Sequence, residues 1–120
     1  MVKLFSFGSN KSKVNKDEVV KSINYTDEFP YLPSYFVLKA AKFIPATPER
    51  PLAEAEYIIR IRHDTQVYEN YRATLIEDGW KISDEMPVTK FTAEKDTHIA
   101  YIMISRLSDT EDILLRINSK

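Results

Sequence analysis

Cysteine is absent from the 120-residue chain, which removes disulfide frameworks, thiolate zinc sites, iron–sulfur ligation and cysteine nucleophiles together. Glycine occurs only twice, at Gly8 and Gly79. Neither stands in a glycine-rich loop between a strand and a helix, so phosphate-cradling loops of the Walker or dinucleotide type are excluded. Nowhere do 18 apolar residues run together, and no membrane-spanning helix is expected. Neither sign of charge prevails: 17 Lys and Arg stand against 18 Asp and Glu, with a sequence pI near 6.1. That balance argues against a protein that works by neutralising phosphates, and nucleic acid is not an expected partner. There is no Gly-x-Ser-x-Gly elbow, and the two histidines, His63 and His98, belong to no ligand-spaced motif. Neither a cofactor nor a metal is expected.

What the chain does have is apolar and aromatic mass: 43% hydrophobic positions, with six Phe, seven Tyr and Trp80. One domain of this length buries roughly two-thirds of its unfolded surface, enough for a core without covalent staples. We expect a tail over residues 1–14 and a single domain over 15–120. The tail holds Leu4, Phe5 and Phe7, too short a patch for a signal-peptide core, and cytoplasmic residence is the default expectation. Five lysines against Asp17 and Glu18 make the first 24 residues net +3 and leave the remainder net −4. Weak peripheral contact with an anionic membrane through Leu4, Phe5 and Phe7 is one use of that asymmetry. Cover for the domain's own core is the other.

Asn15 with Glu18, and Val14 with Val19, form a capping box and staple that predict a short helix ending near Asn24. Phe29-Pro-Tyr-Leu-Pro33 reads as an ordered connection, and Tyr35 to Ile44, apolar on both faces, as a central strand. Pro45, Pro48 and Pro51 recur at the polyproline II period and predict a stiff connector. Within it, Pro45-Ala-Thr-Pro48-Glu-Arg50 matches a Pro-x-x-Pro-x-Arg docking peptide, for which a rigid loop is the plainer account. Leu52 to Arg62 alternates, with Ala53, Ala55, Tyr57, Ile59 and Ile61 on one face and Glu54, Glu56, Arg60 and Arg62 on the other. The charged face suits cross-strand ion pairs better than a carboxylate dyad. Asp64 is placed to cap a helix through Asp78, with Val67, Tyr71 and Leu75 on its inner stripe and Gly79 as its terminator. A meander follows over Val88–Lys95, His98–Leu107 and Ile113–Ser119. Ser108 with Glu111 also makes a capping box, so the last segment reads as strand or helix.

The succession of a strand, a helix ending in Tyr71-x-x-x-Leu75-x-x-x-Gly79-Trp80, the stretch Phe91-Thr-Ala-Glu-Lys-Asp96 and a further hairpin resembles a small α+β domain of bacterial proteins. Many of its bearers are secreted proteins or lipoproteins of no known activity. The resemblance spans roughly residues 29 to 119. It implies a non-enzymatic module with a helix on one face of an antiparallel sheet, and no catalytic residues to carry over. The exported versions carry a leader and a lipobox cysteine; no cysteine is present here, and a leader is not expected.

The expected architecture is therefore α+β, an antiparallel sheet of four to five strands with one main helix on a face and a short amino-terminal helix beside it. The leading functional expectation is an accessory or interaction module that binds another protein or itself and does no chemistry. Its expected contact residues are Phe29, Tyr31, Leu32, Tyr35 and Phe36, an aromatic cluster suited to a protein partner. The alternative is a small-molecule-binding protein or minor enzyme with a pocket near His63, Asp64 and Tyr68, at a strand-to-helix junction where sites gather.

Overall fold

The computed structural model describes residues 23–36, 39–60, 63–107 and 111–120. Six strands and one helix follow one another: β1 (Lys42–Ile44), β2 (Ala53–Ile59), α1 (Asp64–Glu77), β3 (Lys81–Met86), β4 (Lys90–Lys95), β5 (His98–Arg106) and β6 (Ile113–Ser119). All pairings are antiparallel, in the order β1-β2-β6-β5-β4-β3. The α+β class holds, with six strands where four to five were expected. The addition is β3, whose sequence Lys-Ile-Ser-Asp-Glu-Met is polar because it lies at an edge and turns only Ile82 toward the core cluster. The expected amino-terminal helix and tail lie almost wholly on residues 1–22, outside the described residues.

Alternation decides which side of the sheet is packed. Ala55, Ile117, Ile102 and Phe91 stand abreast across β2, β6, β5 and β4, and all four are buried. Helix α1 lies on this side. Its inner positions Val67, Tyr68, Tyr71 and Leu75 are buried, and the Tyr68 ring meets Phe91 edge-on at 5.4 Å. Asp64 is the first helical residue, not the cap. The cap position belongs to His63, whose N–H is taken by Oε1 of Gln66 at 3.2 Å. At the other end Gly79 (φ +96°) donates to the Ile76 carbonyl and Trp80 to that of Leu75, the paired bonds of a Schellman ending. Leu75 and Trp80 are both buried beneath it.

The stretch expected as a central strand divides in two. Only Lys42–Ile44 is strand, and it is an edge. Phe36 has φ +58°, which turns the chain out of extended conformation, while Val37 and Leu38 lie outside the described residues. The inner neighbour of β2 is β6, whose Ile113, Leu115 and Ile117 point inward in clean alternation. This also settles the last segment as strand. The proline connector is not extended: Thr47 and Arg50 exchange both backbone hydrogen bonds at 2.8 and 3.0 Å, and the Arg50 guanidinium donates to the Pro45 carbonyl. Prolines 45 and 51 thus flank a tight turn between β1 and β2, and Pro48 lies within it.

Candidate functional site

Residues 23–36 form a compact loop on the helix side of the sheet, closed by a bridge between Tyr25 and Pro33. Tyrosine hydroxyls fasten it down. Tyr71 donates to the Pro33 carbonyl at 2.7 Å, Tyr57 donates to Glu28 at 2.7 Å, and Tyr31 bonds Ser119 at 2.8 Å. Burial raises the Tyr71 hydroxyl well above its ordinary pKa and raises that of Tyr31 as well, and burial followed by the Glu28 bond raises that of Tyr57. All three therefore stay neutral and able to donate across the physiological range. Of the aromatic cluster singled out in the sequence, Phe29, Leu32 and Tyr35 sit in the core and Tyr31 is half-buried, stacked on His98 at 3.6 Å. Phe36 is 54% exposed.

The corner holding His63, Asp64 and Tyr68 is laced by local hydrogen bonds. His63 is exposed, and Asp64 accepts from the Thr65 N–H at 2.8 Å. Tyr68 is buried and donates to Glu85 at 3.1 Å, where Arg72 also holds both carboxylate oxygens at 3.0 and 2.9 Å. That guanidinium is the main reason the Glu85 carboxyl is held below its usual range. His98 does not join His63. It stands across from Lys95, whose Nζ reaches Asp78 at the opposite end of a 14-residue helix, and such a helix is about 21 Å long. Among the described residues no group of three or more His, Cys, Asp or Glu could hold a metal ion. No helix among them is long and apolar enough to cross a membrane.

The reverse of the sheet is the feature that local reading of the sequence misses. By the register, one row runs Lys42, Glu56, Arg116, Met103, Lys90 and Met86, and the next runs Ile44, Glu54, Asn118, Tyr101, Thr92 and Ser83. Ile58, Leu114 and Ser105 make a third. No helix among the described residues lies on this face. Tyr101 is 40% exposed and Met86 54%, while Ile58, Leu114 and Met103 are half-buried. Arg116 bridges Glu56 at 3.0 Å and Glu54 at 3.5 Å, which is the cross-strand pairing expected of the charged side of β2. The middle over β6 and β5 mixes Leu114, Met103 and Tyr101 with Arg116, Asn118 and Ser105, flanked by Glu54 and Glu56 on the β2 side and by Lys90, Glu94 and the buried Thr92 on the β4 side. The signal for it was present in β6, where Leu114, Arg116 and Asn118 alternate with buried neighbours, but it becomes a surface only once strand order is known.

Both edges of the sheet are guarded. β1 is three residues long and runs into Pro45, and β3 carries a bulge at Asp84 (φ +51°) between Ser83 and Met86. Short, proline-bounded or bulged edges resist the addition of another strand.

No family model, no curated protein and no solved structure matches the chain.

Proposed function

We propose that the protein is a non-enzymatic interaction module that binds a protein partner on the open face of its sheet. The observation that carries this reading is that face itself: Tyr101, Met103, Leu114 and Ile58 lie contiguously on the side opposite α1, with charged residues around them. A patch that combines apolar side chains, an aromatic anchor and an arginine has the composition of a protein-binding surface. Guarded edges support recognition by side chains over strand addition. On the other side the hydroxyls of Tyr31, Tyr57 and Tyr71 are committed to holding the 23–36 loop.

The test is capture of binding proteins from a cell extract by the wild-type chain and by a Tyr101→Arg variant. A partner held by the first and lost by the second, with the variant's melting temperature unchanged, supports the reading. Equal capture by both would reject this face.

A further inference from the structure

We propose that the occupant of the open face is the same face of a second copy, related by a two-fold axis that runs parallel to the strands between β6 and β5. The inference rests on the binding-face reading above and adds the partner's identity. It comes from strand order and register taken together. With the order β1-β2-β6-β5-β4-β3, such an axis lays β2 of one copy over β4 of the other and β6 over β5. Rotation about an axis parallel to the strands preserves height along them, so residues of one row meet residues of the same row.

In the first row that brings Glu56 over Lys90, and Arg116 over Met103. In the second it brings Asn118 over Tyr101. Every one of these meetings occurs twice, because a two-fold interface is self-complementary. The charges suit it. Glu54 and Glu56 share Arg116 and so keep one net negative charge on the β2 side, while Lys90 on the β4 side has no ion-pair partner among the described residues. Lys42 falls over Met86, a long aliphatic stem on an exposed thioether. Sheets packed face to face turn by about 30° to one another. The match is therefore closest at Tyr101 and Asn118 beside the axis, and the length of the Lys90 side chain takes up the offset further out.

Six strands at about 4.8 Å spacing span about 24 Å, and six residues of strand about 20 Å, so each copy offers a flat area of about 500 Å². That is at the small end for specific association, and the dimer is expected to form in the micromolar range.

The experiment is sedimentation equilibrium of the full chain from about 5 to 500 µM, with circular dichroism to confirm that each variant is folded. Wild type should pass from monomer to dimer, and Lys90→Glu should weaken the dimer about tenfold or more, since repulsion replaces attraction twice. Mixing Lys90→Glu with Glu56→Lys should restore association between the two variants, as each then supplies the charge that the other lacks. Should Glu56→Lys fail to fold beside Arg116, a second measurement decides: wild-type association should weaken with added salt, and Lys90→Met should lose most of that dependence. A wild-type chain that stays monomeric at the highest concentration overturns the second copy. If Tyr101→Arg nonetheless loses a partner from the extract, the binding-face reading survives. A monomer whose Tyr101 resists nitration overturns the proposal as well, and assigns the face to another part of the same chain.

Discussion

The hydroxyl of Tyr25 donates to Oδ1 of Asp78 at 2.8 Å, fastening the 23–36 loop to the residue that ends the helix. Asp78 collects two more donors on its second oxygen, the Trp80 indole at 3.1 Å and Lys95 Nζ at 3.3 Å. Loop, helix end, β4 and the residue that leads into β3 thus meet on one carboxylate. Asp78→Ala should destabilise the protein by about 2–3 kcal/mol, chiefly because the half-buried indole N–H loses its acceptor. Urea denaturation followed by Trp80 fluorescence reads the loss directly, and a change under about 0.5 kcal/mol would show that the meeting point is ornamental.

One residue on, Gly79 holds φ +96°. A Cβ there would find the Lys95 side chain at 3.5 Å, an ordinary contact, so the cost of Gly79→Ala comes from the backbone and should be about 1–2 kcal/mol. Thermal melts of the two proteins check it. An unchanged melting temperature would mean that the helix ends in some other way.

Leu75 is fully buried beneath that ending. Leu75→Ala should cost about 2–5 kcal/mol, the range for emptying a core site. Glu69→Ala, on the exposed side of the same helix, should stay within about 0.5 kcal/mol. Chemical denaturation of both variants distinguishes a docked helix from one that merely lies nearby.

Tyr71 governs behaviour at high pH. Its folded pKa lies above the unfolded one, so the stability it contributes is complete below about pH 10 and declines as pH rises beyond that toward the folded value. Tyr57 acts in the same direction. Urea midpoints should therefore fall between about pH 10 and 11.5. They should fall less steeply in Tyr71→Phe, which also loses about 1 kcal/mol at neutral pH with its bond to Pro33.

Glu85 works with the opposite sign. Its folded pKa is lowered, first by the Arg72 hydrogen bonds, so its contribution is present above the unfolded carboxylate value and is lost as pH falls through the folded one. Glu85→Gln should flatten the acid side of the stability profile from about pH 4.5 downward. Its exposure keeps the effect small, and midpoints at closely spaced pH values are the appropriate measurement.

Elements with strong local grammar were legible in the sequence. The alternation of β2, the Val67, Tyr71 and Leu75 stripe, and the Gly79-Trp80 ending each report a periodicity or a dihedral demand that neighbouring residues satisfy. β3 was not legible, because an edge strand with one inward residue leaves no alternation to see. Tyr35 to Ile44 misled for the converse reason. Its apolar residues serve two structures, Tyr35 in the loop over the core and Phe43 at the sheet edge against Phe29, and their sum imitates a central strand. The open face was hidden because Tyr101 and Leu114 become neighbours only through the pairing of distant strands.

That pairing also orders events in time. β1 with β2 forms one hairpin and β3, β4 and β5 form a local meander, but the two pieces touch within the sheet only through β6. Ile59 cannot find Ile113 until about fifty intervening residues have been made and gathered, and closing a loop of that length is the slow, entropically costly step in assembling such topologies. During synthesis the Ala55, Tyr57 and Ile59 side of β2 therefore waits without its neighbour. The shielding of that strand in the interval falls to the 23–36 loop, which is made before it and which Tyr57 holds through Glu28.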